Sequence, residues 1–233
     1  MIEQSKGRIF VAEERGKNET GILRSLKTFN YGNFYNKNKE AFGNLYVLND
    51  DTLAQKGSVK MLVEEESYVV FLPVAGALIY NDSSGYEASV AVGEILIRHI
   101  LPGTIIHIEN PFENYLINYL QLRFKPLKGI DIIQSGNISF DLDRDKNKLI
   151  HLTCEHKDFG FRLSIIKLTG RSEVKYVSMN NKSGIYAYAI EGALEVQYRL
   201  MQDRDGLALS ELTEIEAEAL SNYAILLIAE VSL

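Results

Sequence analysis

The chain has 233 residues and a formal net charge of −6 at pH 7, which excludes the basic surface that nucleic-acid binding requires. Hydrophobic residues make up 46% of the sequence, enough for a folded core. No apolar run reaches the ~20 residues of a membrane-spanning helix, and the N-terminus lacks a signal-peptide pattern. The single cysteine, Cys154, excludes an internal disulfide framework. We therefore expect a cytoplasmic protein that binds neither nucleic acid nor a membrane.

The first half of the chain is a series of short β-like runs separated by turn residues. Residues 29–42, rich in Asn, Gly and aromatics, predict an ordered loop laid against a sheet. The Asn49-Asp50-Asp51 block and Pro102-Gly103 read as turns. Strands this short, bounded by Gly, Pro, Asn and Asp, predict an all-β sandwich or barrel. The runs are Asn44–Leu48, Ser67–Leu72, Ala77–Tyr80, Val90–Arg98, Thr104–Glu109 and Tyr115–Phe124.

The charge-rich segment Lys125–Lys148 is typical of a connector and sets the domain boundary. We predict an N-terminal domain over 1–125, a connector over 126–148 and a C-terminal domain over 149–233. The second half repeats the β pattern, and Val74–Leu78 is echoed by Ile190–Leu194 around a glycine. This echo fits two tandem copies of one β fold. The run Ser210–Leu220 has no clean period, which leaves a helix and a loop with a strand both open.

Two sequence blocks carry a family resemblance. Residues 29–36, FNYGNFYN, and 42–51, FGNLYVLNDD, resemble the N-terminal signature of pirin-like bicupins. Residues 184–233 are similar to the second cupin of the bacterial quercetinase-type members. The resemblance implies two tandem cupin β-sandwich domains. It also implies a metal, usually iron, in the N-terminal barrel only, held by a His-x-His and a later His-x-Glu with one position open for oxygen or substrate.

The sequence departs from the family at these metal ligands. Counting without gaps puts the four ligand positions on residues none of which is a histidine: Leu62, Glu64, Ile106 and Ile108. His107 and Glu109 lie one residue later, and in a strand a shift of one residue moves a side chain to the opposite face. We therefore expect a degenerate motif, with Leu62, Glu64, Ile106 and Ile108 lining the barrel and no metal cofactor.

A one-residue deletion in the turn Leu101-Pro102-Gly103 gives the alternative alignment. It would turn His107 and Glu109 inward, with Glu64 as a third ligand for iron or another divalent transition metal. Such a set is weaker than the family's four ligands, because only one of its members is a histidine.

Two functions follow from these alignments. In the first, the chain is a non-catalytic protein that binds a small organic ligand in the N-terminal barrel or acts in regulation. In the second, it is a metal-dependent dioxygenase resembling quercetinase. The ungapped count leaves one carboxylate as the only possible metal ligand and so favours the first function. Two cupins packed together are compatible with a monomer.

The other histidines give weaker evidence for a functional site. His151, Cys154 and His156 lie within six residues, but a soft-metal site needs about four ligands and no second cluster supplies them. His99, at the end of a predicted strand, is expected on the surface.

Overall fold

A computed structural model describes residues 5–130, 132, 136–153, 159–179 and 183–233. Over these ranges the chain forms 21 strands and one turn of 3-10 helix, Ala12–Glu14, so the all-β prediction is confirmed. No helix in the described ranges is long and apolar enough to cross a membrane. The first eleven strands are β1 Lys6–Phe10, β2 Gly16–Glu19, β3 Leu23–Lys27, β4 Leu45–Leu53, β5 Ser58–Leu62, β6 Ser67–Ala75, β7 Ala77–Asp82, β8 Glu87–Ala91, β9 Glu94–Ile100, β10 Ile105–Glu109 and β11 Ile117–Phe124. The remaining ten are β12 Asn137–Ser139, β13 Ile150–His151, β14 Phe161–Leu168, β15 Glu173–Val177, β16 Ser183–Glu191, β17 Leu194–Val196, β18 Arg199–Met201, β19 Gly206–Ser210, β20 Glu214–Ala219 and β21 Ala224–Ser232.

The strands belong to two compact units, each built from two antiparallel sheets. The N-terminal unit comprises Gly16–Ala41 and Leu45–Phe140. Its sheets have the orders β12-β9-β6-β11-β4-β3-β2 and β5-β10-β7-β8, and strands of both contribute to one apolar core. The C-terminal unit has sheets of order β1-β19-β16-β21-β14-β13 and β15-β20-β17-β18 around a second core.

The units divide the chain differently from the predicted domains 1–125 and 149–233. Strand β1 pairs with β19, from Lys6↔Ser210 to Phe10↔Gly206, so the segment up to Arg15 belongs to the C-terminal unit. Within the predicted connector, β12 pairs with β9, which extends the N-terminal unit to Phe140. Long-range strand pairing decides both boundaries, and local composition does not encode it.

One element differs from its prediction, and a second segment, left open between a helix and a loop with a strand, contains the strand. Strand β4 runs straight through Asn49-Asp50-Asp51, which we predicted as a turn, because β3 and β11 pair with it on both sides. Segment 210–220 contains strand β20, whose buried residues Ile215, Ala217 and Ala219 follow a period of two. In both places tertiary pairing overrides the local turn or helix preference.

Candidate functional site in the N-terminal unit

Strand β10 turns its apolar residues into the core of the N-terminal unit. Ile106 and Ile108 are fully buried there, whereas His107 is half-buried and Glu109 is exposed. On one side Ile106 is paired with Met61 and Ile108 with Val59 of β5. Directly opposed residues of an antiparallel pair share a face. The interior between β5 and β10 is therefore apolar.

The structure corrects our placement of Leu62 and Glu64 in the interior. Leu62 is 54% exposed and Glu64 is exposed, and Val63 takes the buried position instead. Leu62 is paired with Ile105, which also faces outward. The Val63 backbone N–H donates to Thr104 O at 2.9 Å, so the pairing with β10 continues past β5 in a register that ungapped counting misses by one residue.

The acidic run that follows β5 makes polar contacts at the surface, one of which involves a buried histidine. Glu65 Oε2 lies 2.8 Å from Lys125 Nζ, and Glu66 Oε1 lies 2.8 Å from His99 Nε2. We expected His99 on the surface, but only 6% of it is exposed, and its ring packs edge-on against Tyr68. Pairing with Glu66 explains how this polar ring is tolerated there.

The side chains present do not fit the family's metal. The strands that would hold it supply Met61, Ile106 and Ile108 to the interior, and none of these is a nitrogen or oxygen ligand. In the described ranges no three His, Cys, Asp or Glu residues come together in a group that could hold a metal ion. Glu64, His107 and Glu109 are thus not gathered into a site.

The second histidine cluster is only partly described. His151 lies on β13, and its Nδ1 is 2.8 Å from Ser164 Oγ. Cys154 and His156 lie outside the described residues.

The inner face of the larger sheet carries polar side chains. It lies opposite the apolar face of the sheet that contains β5 and β10. On three adjacent strands, Ser25 is aligned with Asp51 and Tyr119, and Lys27 is aligned with Asn49 and Gln121. Arg123 continues the same face of β11 two residues further on. This face carries the core residues Leu53 and Ile117, so it points between the sheets. We call the set Ser25, Lys27, Asn49, Asp51, Tyr119, Gln121 and Arg123 the interior polar cluster; every member is buried.

Arg123 reaches across the interior from β11 toward β5. Its Nη2 lies 3.9 Å from Met61 Sδ, and its guanidinium carbon lies 5.2 Å from the centre of the Tyr31 ring. With the Gln121 amide turned so that its oxygen faces Arg123, that oxygen accepts from Nε at 3.1 Å and Nη2 at 3.0 Å. Only 2% of Arg123 is exposed, yet no carboxylate among the described residues forms an ion pair with it. A buried cation without a counter-ion is unfavourable.

Lys27 and Asp51 are the other two charged groups of the cluster. Lys27 Nζ donates to Tyr31 O at 3.1 Å; burial lowers the pKa of this ammonium, and the nearby Asp51 partly opposes the effect. Burial raises the pKa of Asp51 to about 7, against the hydrogen bond from Ser25 and the charges of Lys27 and Arg123, while Asp50 adds to the rise. The cluster therefore holds two cations and a carboxyl that is only partly ionised near neutral pH.

Several polar atoms of the cluster have no hydrogen-bond partner. They are Asn49 Oδ1, Asp51 Oδ1 and the Tyr119 hydroxyl, all buried within the part of the chain that the structure describes. Buried polar atoms are normally satisfied by protein, water or a ligand. An electropositive interior with open hydrogen-bonding atoms offers polar contacts to water or to a small polar molecule.

Sequence reasoning missed this cluster for an identifiable reason. A turn at Asn49 and Asp51, as the local sequence predicts, would separate these residues from their neighbours on β3 and β11. The available signal was the alternation in Tyr115–Phe124, where Tyr119, Gln121 and Arg123 form one face against the apolar Leu120, Leu122 and Phe124. The same alternation also occurs where a polar face meets solvent, so the alignment of β3, β4 and β11 is needed to place these side chains inside.

Comparison with known proteins agrees with the fold. Residues 160–229 match the family model for the quercetinase C-terminal cupin domain. The chain is 25% identical to a putative quercetin 2,3-dioxygenase of Pasteurella multocida, over 94% of this chain and 97% of that protein. It is 24% identical to quercetin 2,3-dioxygenase of Escherichia coli K12, over 93% of this chain and 95% of that protein. Along most of its length the chain resembles the pirin-like bicupins.

Solved structures support the tandem cupin architecture of this bicupin. The crystal structure of bacterial pirin YhhW from Escherichia coli in complex with nickel(II) matches with a TM-score of 0.83 at 20% identity, covering 97% of this chain and 99% of that chain. A likeness at this identity shows the common fold, so the predicted fold of two cupin domains is confirmed.

Proposed function

We propose that this pirin-like bicupin binds a small organic ligand inside its N-terminal unit without a metal, and that it does not carry out the dioxygenase reaction named for its relatives. The observation that carries the proposal is the interior polar cluster. It supplies two buried cations, Lys27 and Arg123, together with unpartnered polar atoms on Asn49, Asp51 and Tyr119. Such groups are the fixed polar contacts that orient a ligand in a mostly apolar site.

The same interior argues against the catalytic alternative. The quercetinase-like hypothesis requires Glu64, His107 and Glu109 to converge on one ion. Glu64 and Glu109 are exposed, and the residues that β10 turns inward are Ile106 and Ile108. A binding or regulatory protein therefore fits the side chains better than a metal-dependent dioxygenase.

Isoleucine methyl NMR on metal-stripped protein tests this function. We expect hits from a library of small organic fragments, in the presence of a chelator, to shift the δ1-methyl signals of Ile106, Ile108 and Ile117, which all lie in the N-terminal core. The methyl signals of Ile185 and Ile228, in the core of the C-terminal unit, serve as the internal control. Shifts that require added Fe²⁺ or Ni²⁺, or that occur only in the C-terminal core, would overturn the proposal.

A further inference from the structure

The charges of the interior polar cluster point to the chemical class of the ligand, and this inference rests on the proposed function. We propose that the ligand is an organic monocarboxylate, with its carboxylate against Arg123 and Lys27 and its apolar body against Phe71, Ile106 and Met61. Charge balance, the available donors and the apolar walls support this class.

Charge balance favours a single negative charge. Arg123 and Lys27 are both buried, and within the described ranges neither forms an ion pair. The only carboxyl in the cluster, Asp51, acts on Lys27 through space and does not offset both cations. Asp50, its neighbour in sequence, alternates to the other face of β4, where Asn118 Nδ2 donates to its Oδ1 at 2.6 Å. When Asp51 is ionised, the interior is left with an excess of one positive charge, which a monoanion neutralises.

The remaining donors suit a carboxylate. The hydrogen bonds of the Arg123 guanidinium to Gln121 use Nε and Nη2, so Nη1 donates none within the described ranges. Lys27 Nζ has three hydrogens and donates one of them, to Tyr31 O. Contacts to Gln121, Met61 and the Tyr31 ring hold the guanidinium in place before a ligand arrives. Fixed donors lose little freedom on binding, which is the basis of preorganised recognition.

The walls around these donors are apolar. Gln121 is paired with Phe71 of β6, whose ring lies 6.0 Å from that of Tyr119. Across the interior, Arg123 contacts Met61, which is paired with Ile106. A carboxylate attached to an aromatic or aliphatic body satisfies both the cations and these walls. An inorganic anion would satisfy only the cations.

Matched pairs of acids and amides test the inference on the full, metal-stripped chain. The probes are benzoate, phenylacetate and hexanoate, each with its carboxamide, titrated to millimolar concentration with chelator present and followed by the Ile106 and Ile108 methyl signals. We expect at least one acid to bind and its carboxamide to bind about 10–100-fold more weakly, since a hydrogen bond to a charged group is worth roughly 1.5–3 kcal/mol. Arg123→Met should weaken binding of the acid by a similar factor.

The control variant is Arg24→Met, which removes an exposed guanidinium from the neighbouring strand β3 and should leave binding unchanged. Unfolding of ligand-free Arg123→Met gives a second readout, because removing a buried cation that forms no direct ion pair among the described residues should not destabilise the protein. Equal binding of acids and amides, or a failure of every acid to bind, would overturn the carboxylate proposal. Binding of the amides alone would leave metal-free ligand binding intact, whereas binding of any probe only after metal is added would overturn the proposed function itself.

Discussion

Ile108→Ala is expected to lower the free energy of unfolding by about 2–5 kcal/mol, because it removes buried methyl groups and leaves a cavity. Ile108 is fully buried and is paired with Val59 on one side and Tyr80 on the other. The register of β10 decides this result. If His107 and Glu109 faced the interior, Ile108 between them would be on the surface, and its truncation would cost little stability.

Urea unfolding followed by circular dichroism measures this effect, with Glu109→Ala as the matched control. Glu109 lies two residues after His107, on the same face of β10, and is exposed. Its truncation should change the free energy of unfolding by less than about 0.5 kcal/mol. The ungapped register would be contradicted if Glu109→Ala or His107→Ala cost as much as Ile108→Ala.

Asp51→Asn is expected to stabilise the protein above pH 7 and to have less effect near pH 4. In the folded state the pKa of Asp51 is raised from 3.8 to about 7, mainly by burial. The folded protein therefore holds a proton that the unfolded chain releases, and the stability associated with that proton is lost as the pH rises from about 4 to about 7. A shift of this size corresponds to at most about 4 kcal/mol, at about 1.4 kcal/mol for each pH unit.

The measurement is the unfolding free energy of wild type and Asp51→Asn at several pH values between 4 and 8.5. The difference between the two curves isolates Asp51, because the other groups titrate in both proteins. We expect the advantage of the asparagine variant to grow through this window and to level off above pH 7. A difference that does not change with pH, or one that increasingly favours wild type as the pH rises, would show that Asp51 is not a buried carboxyl with a raised pKa.

The fold could be predicted from the sequence, and particular strands show why. Runs such as Ser67–Leu72 are short, rich in β-branched and aromatic residues, and bounded by turn residues, so composition and local order were enough to predict an all-β chain. The tandem arrangement followed from blocks such as FGNLYVLNDD and from the glycine echo between the two halves. The pairing of β1 with β19 joins residues about 200 positions apart, and no local pattern encodes it.

The candidate site was predicted only in part, because its registers depend on tertiary pairing. The alternation of side chains along a strand is enough to place Ile106 and Ile108 on one face of β10 and His107 and Glu109 on the other. On β5 the same counting placed Leu62 and Glu64 inside, whereas the continued pairing at Val63 puts them outside. The interior polar cluster needed three strands to be aligned before its charges could be seen together. Asp51 in particular looked like a turn residue until β3 and β11 were in place.

We propose that the interior of the N-terminal unit carries fixed charges and binds no metal ion. This proposal is tested most directly by incubating the purified full chain with Fe²⁺ or Ni²⁺, dialysing it, and measuring bound metal per chain by mass spectrometry of the elements. We predict far less than one metal ion per chain, with no change in the His107→Ala variant. A content near one ion per chain that is lost on His107→Ala or Glu109→Ala would overturn this proposal.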